Sequence, residues 1–243
     1  MTKAINDPRE IFEEIVQDYK SLFGQELESI ILYGSAAGSE YVAGKSDINF
    51  MIVLSEQGID HLDRAFKTVE KWKKRKVATP LFLTRFYVET STDTFPIEYL
   101  NFKHNHITVY GDDILKTLSF DTKHVRLQCE REIKGKLTLL RQAYIESAGK
   151  GKNLRQVITQ SIRAFIAIFR ALLFLKGEEP PSEMRKIVQN ACQALSLDSG
   201  LFEKLLDIKQ DKIKPTDEEI KIIYGNYLKE VRKLSKLVDS IGG

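Results

Sequence analysis

The spacing of apolar residues changes once along the chain, at Asp112-Asp113, and that change most limits what it can fold into. Before it, short β-rich runs alternate with amphipathic stretches; after it, apolar residues recur at helical spacing. Asp7-Pro8-Arg9-Glu10 reads as a helix start, and Phe12, Ile15, Val16, Tyr19, Leu22 and Phe23 follow before Gly24 ends the helix. Residues 29–33, 48–54 and 81–84 read as strands, 95–102 as a fourth extended stretch and 107–110 as a short last one. Between them Ile59, Leu62, Phe66, Val69 and Lys73 trace a helix. Beyond the junction, stripes such as Cys129, Ile133, Leu137, Leu140 and Tyr144 repeat at Ile158 to Leu173 and at Met184 to Leu195. Thr216-Asp217-Glu218-Glu219 is a capping box that opens a last helix, lined by Ile220, Tyr227 and Leu234. Four or five helices with short connections predict an up-and-down bundle. The expected organisation is an α/β (α+β) domain over residues 1–117 and an all-α bundle over 118–243.

Charge divides at the same place. Residues 1–115 carry 13 basic and 18 acidic side chains, a balance of −5, whereas residues 116–243 carry 24 and 16, a balance of +8. Such asymmetry suggests two domains with different tasks. Cys129 and Cys192 have no partner at metal spacing and read as free thiols in a reducing compartment. Residues 1–14 hold no apolar core of a signal peptide, so a cytoplasmic location is expected. The apolar run 158–175 is interrupted by Arg163 and Arg170, which favours a buried bundle helix over a membrane span.

The chemistry is concentrated in residues 32–54. A strand ends at Gly34-Ser35, small residues open a short helix, a loop follows, and Asp47 precedes the next strand. Gly34 lets a ligand approach the backbone, Ser35 offers a hydroxyl, and amides at a helix start favour an anion. Asp47 and Asn49, two apart on a strand, project to one face. Oxygen ligands beside a phosphate cradle are the parts of a Mg²⁺-nucleotide site.

This segment resembles the signature of the polymerase-beta-like nucleotidyltransferase superfamily: a hydrophobic residue, Gly and Gly/Ser, then Asp-hydrophobic-Asp/Glu on the next strand. The plan of a mixed-sheet domain followed by a helical bundle is similar to stand-alone bacterial and archaeal members, including kanamycin-type adenylyltransferases. The resemblance implies that Gly34 and Ser35 hold the phosphates of a nucleoside triphosphate bound as its Mg²⁺ complex. It implies Asp47 as first metal ligand and Glu98, in the apolar run 95–102, as the third carboxylate acting as ligand or general base. Asn49 departs from the pattern, placing a neutral amide where the family has its second carboxylate. Two Mg²⁺ ions about 3.5–4 Å apart need carboxylates to offset their repulsion, so weakened or single-ion binding is expected.

Two functions follow. One is transfer of a nucleoside monophosphate from Mg-NTP, with ATP the expected nucleotide, to a hydroxyl acceptor, using Asp47, Asn49 and Glu98 for metal. The other is an inactive nucleotide-binding or partner-binding module. Nucleic acid is a weaker candidate, since the basic run 71–76 reads best as the solvated end of a helix. His104 and His106 read as surface residues, and Arg163 and Arg170 as partners of bundle acids such as Glu130 or Glu132. No membrane partner is expected, and apolar stripes on the bundle leave a homodimer open.

Overall fold

A computed structural model describes residues 5–38 and 40–241. The chain forms two compact units, one of residues 1–95 and 99–119, the other of 96–98 and 120–243.

The first unit is built on four strands. After a 3-10 turn at Pro8–Ile11, in which Asp7 accepts a hydrogen bond from the Arg9 N–H, α1 (Phe12–Phe23) runs to Gly24. Strands β1 (Leu27–Tyr33) and β2 (Asn49–Leu54) lie at the centre and are buried along most of their length. Burial on both faces explains why they read as continuous apolar runs and not as alternating ones. β1 is antiparallel to β2, with Tyr33 opposite Asn49, and antiparallel to β4 (His106–Gly111), with Tyr33 opposite His106. β3 (Leu81–Thr84) pairs parallel with β2, so the sheet is mixed, in the order β3-β2-β1-β4. Ile15, Tyr19 and Phe23 of α1 pack into the same core as Ile30, Leu32, Phe50 and Ile52.

The stretch expected as one helix from Ile59 is a 3-10 run, Gly58–Ala65, kinked at His61, followed by α2 (Phe66–Lys73). The basic run at its end is an anchor. Trp72 is buried and its Nε1 donates to Asp18, which also receives Lys71 at 2.7 Å. Arg75 lies 4.5 Å over the Trp72 ring and pairs with Glu14. A short α3 (Arg85–Thr90), capped by the Thr84 hydroxyl, follows β3.

Residues 95–102 are not extended. They lie in α4 (Pro96–His104), which starts with Pro at a helix-opening position and Glu98 in its first turn. A short apolar run does not distinguish strand from helix by periodicity. Here a distant side chain decides: Gln128 accepts the Ile97 N–H at 2.7 Å, satisfying a donor that the first turn leaves unpaired.

The second unit contains α5 (Thr122–Glu146), α6 (Gly151–Leu175), α7 (Met184–Ala194), α8 (Ser199–Lys209) and α9 (Asp217–Asp239). α6 is central and packs against the other four. It is long and apolar enough to cross a membrane, yet its stripe of Ile158, Ile162, Phe165, Phe169 and Leu172 is buried inside the bundle. A Cβ at Gly151 would stand 2.0 Å from Asp217 Oδ1, so only glycine lets α6 and α9 begin side by side. The predicted capping box at Thr216 and Glu219 is formed. Glu130 pairs with Arg126 and Lys134, and Glu132 with Lys136, so these acids are engaged on their own helix.

Candidate functional site

β1 delivers the chain at Tyr33 into a single 3-10 turn, Gly34–Ala37. Gly34 has φ +77°, a left-handed conformation that side chains resist. Its N–H donates to the Asn105 carbonyl at 3.3 Å, and its carbonyl accepts from Asn105 Nδ2 at 2.7 Å. At the other end of the turn a Cβ on Gly38 would fall 2.8 Å from Asn105 Oδ1. Asn105 therefore grips both glycines from the junction between α4 and β4. The next residue, His106, is fixed by Phe102 and Lys103 carbonyls and by Asp113 at 2.9 Å. His106 is thus largely enclosed, contrary to its reading as a surface residue.

Asn49 opens β2 directly opposite Tyr33. Its Nδ2 lies 3.7 Å from where a Gly34 Cβ would be, and apart from the glycine's chain neighbours no other described residue comes within 4 Å of that point. The same nitrogen makes a long 3.5 Å contact to the Asp47 carbonyl. Asp47 precedes the strand with an exposed side chain. The Ser35 hydroxyl is half-buried and has no partner among the described residues. The fold thus brings Gly34, Ser35 and Asn49 together, with Asp47 two residues before Asn49.

Glu98 is placed differently. It sits in the first turn of α4, in the segment that groups with the helical unit, and accepts from Gln128 Nε2 at 2.7 Å. The expectation of a carboxylate on an extended strand fails here, because Pro96 starts a helix. Nor does the sheet supply another. Its four strands contain one acid, Glu28, which is paired with Arg85 at 3.3 Å. Among the described residues no three His, Cys, Asp or Glu side chains cluster as metal ligands. One carboxylate and one amide do not fit a two-ion Mg²⁺ centre, whose charge needs more anionic ligands. The expected helix dipole is also reduced, since the turn has four residues and cannot sum a macrodipole.

Three basic residues lie near this segment in the chain or in its backbone bonding. Arg9 and Asp7 line an open cavity of about 510 Å³ together with Ala36, Ala37, Gly38 and Tyr41 of the turn and its continuation. Lys45 stands two residues before Asp47, and the Lys76 carbonyl accepts the Ile48 N–H at 3.3 Å. All three side chains are exposed, and none forms an ion pair among the described residues. Asn105 carries no local motif; only its bonds to Gly34 mark it.

No family model matches the sequence, and no curated protein matches it. Among solved structures, spectinomycin adenyltransferase AAD(9) from Enterococcus faecialis, determined with ATP and spectinomycin, is similar at a TM-score of 0.53. The identity is 14%, over 92% of this chain and 99% of that one. With its mixed four-stranded sheet and its helical unit, this chain shares the fold of that adenyltransferase.

Proposed function

We propose that this protein is a nucleotide-binding module on a nucleotidyltransferase fold, holding the phosphates of a nucleoside triphosphate at the Gly34–Ala37 turn without transferring the nucleotide. One observation carries this: at the position of the second carboxylate stands Asn49, and β2, β3 and β4 hold no acid that could replace it. Phosphoryl and nucleotidyl transfer depend on positioning and on neutralising charge that develops in flight. A site with one carboxylate, Asp47, retains the first and lacks most of the second. ATP should raise the melting temperature of the wild-type protein, while pyrophosphate release stays at the blank rate with aminocyclitol and other polyhydroxyl acceptors.

Nucleotidyl transfer to a hydroxyl is the second reading, favoured by a likeness over 92% of this chain to an adenyltransferase solved with ATP and spectinomycin. In that case Asp47 and Asn49 would hold a single Mg²⁺ carried in with the triphosphate, and Ser35 would hold the leaving phosphates. The same assay separates the two. Acceptor-dependent pyrophosphate release that disappears in Asp47→Ala would establish transfer and overturn the module.

A further inference from the structure

Resting on the nucleotide site just proposed, we infer that Asn49 donates an amide N–H directly to a phosphate oxygen, so that the protein binds a nucleoside polyphosphate without a divalent cation. Four observations meet here. The Asn49 amide nitrogen lies 3.7 Å from where a Cβ on Gly34 would stand, and apart from the glycine's chain neighbours no other described residue comes within 4 Å of that point, which leaves room for a ligand oxygen. Its internal bond to the Asp47 carbonyl is 3.5 Å long, at the limit of a hydrogen bond, so a donor remains to be spent. The hydroxyl of Ser35, which follows Gly34 in the turn, is without a partner among the described residues. Finally, the Arg9 side chain lines the cavity beside Ala36, Ala37 and Gly38 of the turn and its continuation, and forms no ion pair among the described residues, although Asp7 lines the same cavity.

A divalent ion in such a site offsets phosphate charge and templates the oxygens. Fixed donors and mobile lysine and arginine side chains can do both, because amide and guanidinium N–H groups bond phosphate oxygens directly. A carboxylate at position 49 could not. It would repel the phosphate unless a cation stood between them. The exchange of carboxylate for amide at this position then changes what is bound: the free polyphosphate replaces its magnesium complex.

The test is titration calorimetry of ATP into the full-length protein, in EDTA and in excess Mg²⁺. We expect affinities in the two buffers to agree within about threefold, and Asn49→Ala to weaken both by about tenfold, the worth of one charge-assisted hydrogen bond. Asn49→Asp should lose binding in EDTA and recover it when Mg²⁺ is added, with an unchanged circular dichroism spectrum showing that it folds. Wild-type binding that is at least tenfold weaker in EDTA, or an Asn49→Ala variant that binds as wild type, overturns the inference and leaves the nucleotide site standing. Absence of ATP binding in both buffers overturns the nucleotide site itself.

Discussion

Gly34 and Asn105 show how two residues distant in sequence make one turn. The glycine provides a backbone shape, φ +77°, and the asparagine holds it by bonding both of its peptide groups. Alanine at position 34 would meet no steric obstacle, since the nearest group to its Cβ lies at 3.7 Å. Its cost is conformational, about 1–2 kcal/mol for a left-handed non-glycine residue. Asn105→Ala instead leaves the Gly34 carbonyl short of a partner and should cost about 1–3 kcal/mol. Because both substitutions release the same turn, the double variant should lose less than the sum of the two. Urea denaturation of the three variants checks this, and strict additivity would show that the turn does not depend on Asn105. The Gly-Ser pair is visible in the sequence because its chemistry is local. Asn105 is invisible there, since nothing in Lys103-His104-Asn105-His106 announces a contact 71 residues away.

Elements differ in the same respect. β1, β2 and β3 are legible because each is a short apolar run closed by turn residues, and the capping box of α9 is legible because its two bonds join residues three apart. α4 is not, since its apolar residues follow no period and its helical state is supported by Gln128 on α5. That bond makes a prediction. Gln128→Ala removes the acceptor of the Ile97 N–H and the donor to Glu98 together, and should destabilise the helical unit by about 1 kcal/mol, as loss of a helix cap does. Gln128→Glu keeps an acceptor for Ile97 but sets a carboxylate against Glu98, so it should lose stability near neutral pH and recover it on acidification, as one of the two carboxylates takes up a proton and the repulsion ends. Urea midpoints at pH 4 and pH 7.5 measure both effects. The anchor at Trp72 was also hidden: a run of lysines and arginine reads as solvated, yet Lys71 and Arg75 reach back to Asp18 and Glu14 on α1. Trp72→Ala should cost about 3–5 kcal/mol in the sheet unit, because a fully buried indole leaves a cavity and orphans its Asp18 partner.

At the scale of the whole molecule, the two units differ in how they should respond to alkali. Both cysteines belong to the helical unit, Cys129 on α5 and Cys192 on α7, and both are buried. Burial away from water disfavours the thiolate and pushes each thiol up to about 12. In the unfolded chain a thiol titrates near 8.5. Between those values the unfolded state sheds a proton that the folded state keeps, so it binds fewer protons and stability falls as pH rises. Below about pH 8 neither state loses the proton and the contribution is intact. The sheet unit contains no cysteine. Its deeply buried Tyr19 is also raised by burial, but an unfolded tyrosine titrates near 10, so its effect begins later. The helical unit should therefore weaken first, with each thiol contributing a loss approaching about 1.4 kcal/mol per pH unit above its unfolded value. Thermal unfolding followed at 222 nm from pH 7.5 to 9.5 should show a falling melting temperature in the wild type and a much flatter profile in a Cys129→Ala, Cys192→Ala variant. Equal slopes in the two proteins would mean that the buried thiols are not the groups that set the alkaline limit.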